Sequence, residues 1–171
     1  MITIREENSN DYDAIRYVNY QAFNQPMEGN VVDKIRNLGY KFLSLVAEVN
    51  NKIVGHIFFS PMEIEGCTEV KGGMGLAPLS VLPEYQNQGI GGMLINEGID
   101  MLKKKDVPYI IVVGHERYYP KFGFEKASKY GLKSQWTEVP DGAFMVIILD
   151  QEKMKGVHGV AKYMNEWNEA M

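Results

Sequence analysis

Cysteine is nearly missing from this chain: one residue, Cys67, in 171 leaves no internal disulfide framework, as in a reducing compartment. No histidine lies near Cys67 in sequence, so a nucleophilic thiol lacks its usual partner and a plain strand or turn residue is the expected role. Histidine is scarce as well. His56, His115 and His158 are scattered without metal-ligand spacing, and no metal site is expected. No stretch approaches the roughly 18 consecutive apolar residues of a membrane span. Positive charge is not in excess: 18 Lys and Arg stand against 22 Asp and Glu, net charge -4, with no basic run, which speaks against nucleic acid or a membrane as partner. The opening MITIREENSN carries charge where a secretory signal would be apolar, so a cytoplasmic location is expected.

What is present is an ordinary globular composition, 45% hydrophobic and 23% charged, enough for one domain over residues 1–171 with a core of its own. ITIRE reads as a strand. Ser9 or Asn10 is placed to cap a helix through DYDAIRYVNYQAF, and a shorter helix covers VVDKIRNL. FLSLVAEV and KIVGHIFFS flank Asn50-Asn51-Lys52 as a β-hairpin. Met74 to Val81 is a further strand, in which Pro78, lacking an amide donor, marks a bulge or a break in pairing. A helix runs from Gly89 to about Lys105, with lysines at its carboxyl end. VPYIIVVG is a buried strand, ERYYPKF a short helix ended by Gly123, and GAFMVIILD a strand; GVHGVAKYMNEW is either a last strand or a loose tail. The order βααβββαβαββ predicts an α/β fold with a mixed, mostly antiparallel sheet flanked by helices.

Glycine is concentrated where a helix would least welcome it. Gly89, Gly91 and Gly92 open the third helix, although glycine costs a helix interior about 1 kcal/mol relative to alanine. Two physical reasons suffice: close packing against the sheet, or close approach of a phosphate to the unsatisfied amides at a helix start. A Walker loop is excluded, because no Gly-Lys-Ser or Gly-Lys-Thr follows. A dinucleotide fingerprint is excluded by the long turn LPEYQNQ between strand and glycines.

The segment VLPEYQNQGIGG resembles the signature of the GNAT superfamily of coenzyme A dependent N-acetyltransferases, with Gln86, Gly89 and Gly91 at the three motif positions. The resemblance implies that the amides of Asn87, Gln88, Gly89, Ile90, Gly91 and Gly92 surround the pyrophosphate of acetyl-CoA. It also implies that Leu79, Ser80 and Val81 pair their backbone with the pantetheine arm, beside a splayed strand pair. YYPKFGF is similar to the family's second hallmark and places Tyr119 as general acid, a phenol of pKa ~10 that keeps its proton at neutral pH and can protonate the departing thiolate. The resemblance is clearest from about Leu43 to Leu149. An Asn that relatives carry before this helix is replaced by the connector GHER, where His115 is a candidate for a cofactor or substrate contact or for a capping role. For Tyr118, next to Tyr119, core packing is the expectation.

The implied reaction is transfer of an acetyl group from acetyl-CoA to an amine by direct attack in a ternary complex, with no metal. The acceptor is a small-molecule amine or a protein or peptide amino group, and the chain acts as monomer or homodimer. Glu28, Asp33 and Glu48 are the carboxylates considered for a general base, each also readable as solvated surface, and Tyr12, Tyr20, Phe23 and Met27 are candidate substrate liners. A coenzyme A sensor without catalysis and a purely structural protein remain as alternatives.

Overall fold

The fold is described from a computed structural model over residues 1–170. Four helices and nine strands follow one another as β1 (Ile2–Glu6), α1 (Tyr12–Phe23), α2 (Met27–Leu38), β2 (Leu43–Val49), β3 (Lys52–Ile64), β4 (Met74–Val81), α3 (Ile90–Lys104), β5 (Tyr109–Val113), β6 (Glu125–Lys126), β7 (Leu132–Ser134), β8 (Phe144–Ile148), α4 (Gln151–Met154) and β9 (Gly159–Tyr163). The ladders β1–β2, β2–β3, β3–β9, β5–β8 and β6–β8 are antiparallel, whereas β4–β5 and β7–β9 are parallel. This is the mixed, mostly antiparallel α/β sheet that the order of elements predicts. Two compact units divide it: Met1–Ser60 with Ala77–Gly98 and the described residues from Asn165 onward, and Pro61–Leu76 with Ile99–Met164. β3, β4 and α3 each run through both.

In the first unit the sheet order is β1-β2-β3-β4. The β2–β3 hairpin turns on Asn50 and Asn51, whose φ of 50° and 65° belong to the two-residue turn that matches strand twist and that Asn tolerates; Lys52 is already the first residue of β3, paired with Val49. The cap before α1 differs from the expectation. Asn8, and neither Ser9 nor Asn10, accepts from the Asn10 amide at 2.9 Å, while Asp11 reaches back to the Asn8 amide at 2.8 Å, so a 3₁₀ turn over Ser9–Asp11 precedes the helix in a reciprocal capping box. α2 begins a turn earlier than VVDKIRNL suggests. α3 sits hard on the sheet: a Cβ at Gly55 would meet Leu94, Ile90 and Ala47 at 3.1 to 3.3 Å, and one at Gly98 would lie 2.5 Å from the Phe59 ring. Trp167, 2% exposed, closes this unit and donates its indole N–H to Ser60 Oγ at 3.0 Å.

Beneath α1 and α2 lies a buried polar chain. Asn19 Nδ2 meets the Ile15 carbonyl at 3.0 Å and His56 Nδ1 at 3.1 Å, while His56 Nε2 is 2.9 Å from Ser44 Oγ. An amide nitrogen only donates, so Nδ1 accepts, the neutral ring carries its proton on Nε2 and donates it to Ser44 Oγ, and the Ser44 hydroxyl donates in turn to Glu7. Arg36 closes the chain with two bonds of 2.8 Å to Glu7 and one of 2.7 Å to Asp33, its guanidinium 3.9 Å above the Tyr12 ring. α1, α2, β2, β3 and the loop after β1 are thereby tied into one network with an imidazole at its centre.

The second unit contains the β4-β5-β8-β6 order, with β9 between the far end of β3 and β7. The segment GVHGVAKYMNEW is therefore a strand followed by a 3₁₀ turn over Asn165–Glu169. The two-residue β6 and three-residue β7 carry no period by which a sequence could announce them. The ladder of β4 with β5 pairs Met74, Gly75 and Leu76 with Ile110, Ile111 and Val112 and stops there, two residues before Pro78. Along β3 the phase of β4 also changes. The Gly73 carbonyl accepts from Met62 and the Leu82 amide donates to the Val54 carbonyl, and residues an odd number apart face the same neighbour only if one extra residue intervenes. The break expected at Pro78 is present.

Burial of His56 with the Arg36 charge nearby holds its pKa down to about 3. In the unfolded chain histidine titrates near ~6.5. Below that pH the unfolded state takes up a proton that the folded state refuses, so this contribution is complete above pH ~6.5 and is lost as pH falls toward about 3. Urea denaturation at a series of pH values should show stability falling by up to about 1.4 kcal/mol per pH unit from this residue, a component absent from His56→Gln.

Candidate active site

The strand β4 ends at Val81 and the chain crosses a 3₁₀ turn at Pro83–Tyr85 before α3 begins. Leu82, 1% exposed, anchors the turn through its amide bond of 2.8 Å to Val54 on β3. Tyr85 and Gln86 donate their amides back to Leu82 and Pro83 at 2.8 and 3.3 Å, and the Gln86 side chain bonds the Val81 carbonyl at 3.0 Å. Gln86 thus braces the turn onto the end of its own strand. Strand alternation then directs the backbone of Ser80 with that of Leu82 toward β3, and that of Leu79 and Val81 away from it. Ser80 is 2% exposed, and its hydroxyl has no partner among the described residues.

Beyond Gln86 the hydrogen bonding stops. Asn87 and Gly89 both take positive φ, 63° and 84°, and the first amide of α3 to find a backbone carbonyl is that of Met93, on Gly89 at 3.1 Å. Among the described residues the amides of Asn87, Gln88, Gly89, Ile90, Gly91 and Gly92 donate to no protein group. Residues 87–89 are exposed, Gly91 and Gly92 half-buried, and the Ile90 side chain is 1% exposed. The two explanations for the glycines separate here. A Cβ at Gly89 would meet nothing within 4 Å, so packing is not its reason; a backbone conformation that side chains disfavour is. Packing does explain Gly98, two turns on, against Phe59. The result is a helix start with unsatisfied donors, the partial positive end of the helix dipole and no side chain in front of it, a geometry suited to an anion.

Tyr119 belongs to the second unit. The Tyr118 and Tyr119 amides turn onto the His115 carbonyl at 3.1 and 3.4 Å, a 3₁₀ turn spans Tyr119–Phe122, and Gly123 ends it at φ 101° with its amide on Pro120. The helix expected over ERYYPKF is thus a single tight turn. The core packing expected of Tyr118 falls instead to Tyr119, 8% exposed and edge-on to Tyr118 and Phe124 with ring centroids 5.2 and 5.7 Å away, because the tight turn points its ring at the bare Gly114; Tyr118 is half-buried. The Tyr119 ring lies close against the end of β5, where a Cβ on Gly114 would be 2.3 Å from it. Its hydroxyl makes no hydrogen bond to the described residues and is not sealed from solvent. Burial, with Tyr118 alongside, pushes the phenol's pKa well above its ordinary value, so it keeps its proton. His115 is exposed, and its carbonyl, not its ring, makes the contacts seen here.

The carboxylates divide by partner. Glu48 accepts from Arg5 at 3.2 Å, and Asp33 is held by Arg16 and Arg36 at 2.7 Å each. Glu28, 9% exposed, is bound through both oxygens by Gln25 at 2.9 and 3.0 Å. Among the candidate liners Tyr20 and Phe23 are exposed, while Tyr12 is taken up under Arg36. No group of three or more His, Cys, Asp or Glu among the described residues is arranged to hold a metal ion, and no helix is long and apolar enough to cross a membrane. Gly114 and the Ser44–His56–Asn19 chain escaped the sequence reading. GHER carried the signal for the first, a glycine directly before an aromatic turn.

The family described as Acetyltransferase (GNAT) domain matches residues 41–126. Among curated proteins the chain is 31% identical over 149 residues to the uncharacterized N-acetyltransferase YhbS of Escherichia coli strain K12, covering 86% of this chain and 87% of that one, and 37% identical over 125 residues to the uncharacterized N-acetyltransferase YjhQ of the same strain, covering 72% and 69%. Among solved structures it is similar to YhbS from Escherichia coli in complex with CoA, at TM-score 0.91 and 30% identity over 98% of this chain and 92% of that one. A GNAT family acetyltransferase from Brucella melitensis in complex with acetyl-CoA follows at TM-score 0.80 and 33% identity over 98% of both. An open helix start behind a broken β4, an aromatic turn ended by Gly123 and these likenesses converge: the chain belongs to the GNAT superfamily of acetyltransferases.

Proposed function

We infer that this chain transfers an acetyl group from acetyl-CoA to an amine, the amine attacking the thioester directly in a ternary complex. The observation that carries the reading is the start of α3, where six consecutive amides have no protein acceptor and Gly89 holds a conformation that packing does not require. In this reading the amides of Asn87 to Gly92 bind the pyrophosphate, and the backbone of Leu79 and Val81, directed away from β3, pairs with the pantetheine arm as an added strand would. The Val81 carbonyl is engaged by Gln86, so Val81 contributes its amide. Ser80 contributes its position in β4. The structures in complex with CoA and acetyl-CoA support the ligand, and the relatives named N-acetyltransferases support catalysis over a sensor.

Tyr119 is the proton donor. As the amine nitrogen bonds the carbonyl carbon and the carbon–sulfur bond breaks, the sulfur needs a proton, and a phenol whose pKa is raised by burial still carries its proton at neutral and mildly alkaline pH. The amine's surplus proton leaves to water, since Glu48 and Asp33 are held by arginines. The acceptor is a small-molecule amine or a peptide or protein amino group. Residues 1–171 act as one N-acetyltransferase domain, working in the cytoplasm as monomer or homodimer, without a metal.

A thiol-release assay with acetyl-CoA against polyamines, amino acids, aminoglycosides and peptides tests the reading: release above hydrolysis should depend on at least one amine. Neither acceptor-dependent release nor coenzyme A binding by calorimetry would overturn it. Tyr119→Phe should lower kcat by about 100-fold with little change in KM for acetyl-CoA. In the wild type, kcat should hold past pH ~10, where an ordinary phenol would have ionised. Gly114→Ala, whose Cβ would stand 2.3 Å from the Tyr119 ring, should displace that ring and lower kcat by about 10-fold or more while the protein stays folded.

A further inference from the structure

Tyr163, the last residue of β9, is buried in the second unit, and its hydroxyl lies 3.0 Å from the Leu76 carbonyl and 3.1 Å from the Ile111 carbonyl. These are no arbitrary acceptors. Leu76 is the last residue of β4 to pair with β5, opposite Val112. The Gly114 amide bonds Ala143 on the β8 side, so alternation directs the backbone of Ile111 and Val113 toward β4. The hydroxyl therefore sits on the final rung of the parallel ladder, between carbonyls of both strands. Its ring is given room by a missing side chain: a Cβ on Gly75 would lie 2.5 Å from it. On its other face Trp136 packs at a centroid distance of 5.4 Å, and Gln135 Oε1 receives the Tyr163 amide at 2.6 Å.

A side chain from a distant strand thus meets the point where the ladder stops, two residues before Pro78 and three before Leu79. We propose that Tyr163 is a positioning residue that sets where β4 leaves β5, and so fixes the backbone of Leu79 and Val81 for the pantetheine arm. The proposal rests on the acetyl-CoA reading above. The effect travels along β4 itself: a buried hydroxyl that satisfies the last rung removes the incentive for the strands to keep zipping, and Pro78 supplies no donor with which to resume.

The test is Tyr163→Phe in the full chain, with Gly75→Ala as a second variant that moves the ring and keeps the hydroxyl. Without ligand, the Val113 amide at the end of the ladder, followed by hydrogen exchange, should exchange about tenfold faster in Tyr163→Phe than in the wild type, as the hydroxyl that holds the two carbonyls of the last rung is gone. KM for acetyl-CoA and Kd for coenzyme A should rise about three- to tenfold, the range of one hydrogen bond, while kcat at saturation and KM for the acceptor stay within about twofold. Gly75→Ala should move KM for acetyl-CoA in the same direction. Unchanged Val113 exchange, or a lowered melting temperature with KM and Kd unmoved, would make Tyr163 a packing residue and overturn the proposal. A wild-type chain that fails to bind coenzyme A would remove the reading beneath it and the positioning role together, whatever Val113 does.

Discussion

The parallel ladder between β4 and β5 ends at Leu76 and Val112, and the backbone of β4 beyond that point has to satisfy its polar groups elsewhere. Unpaired amides and carbonyls are costly only where neither water nor a ligand reaches them. The molecule meets that constraint in distinct ways. Tyr163 engages the last rung, Pro78 removes one donor outright, and Gln86 covers the Val81 carbonyl from the side. What these devices leave uncovered is a short run of strand backbone at Leu79 and Val81, followed by the amides that open α3.

The same economy of side chains holds at Tyr119. A phenol able to protonate a thiolate must keep its proton and yet present its oxygen. Burial of the ring among Tyr118, Phe124 and the bare end of β5 achieves the first, and a hydroxyl that no neighbour captures achieves the second. By contrast, the equally buried Tyr163 spends its hydroxyl on backbone. Two phenols in one unit thus differ in what surrounds the oxygen, not in how deeply the ring is sunk.

How much of this a sequence discloses depends on how local the cause is. Asn50-Asn51 declares a hairpin because both residues tolerate the left-handed backbone its turn needs, and Gly123 ends the aromatic turn for the same reason. Gly89, Gly91 and Gly92 are legible as a group, but that Gly89 answers to its own φ is not, nor is the reason for Gly98 within α3, which lies with Phe59, some forty residues earlier in the chain. Asn8 as the cap of the 3₁₀ turn that leads into α1 escaped notice because Ser9 and Asn10 carry the same chemistry, and only the reciprocal bond that Asp11 accepts from the Asn8 amide decides among them. The contacts of Gly114, Gly75 and Tyr163 are not legible, since each matters through a ring or backbone group brought to it by folding. Tyr118 and Tyr119 form the middle case: adjacency says that one turns inward, and only packing says which.

Gly55 and Gly98 let α3 sink onto Ala47 and Phe59 until Ile90 and Leu94 touch the sheet. A helix seated so closely has no slack along its axis, and the amides at its head are held where they stand before any guest arrives. A ligand docking at that head would meet a finished mould and surrender little chain entropy.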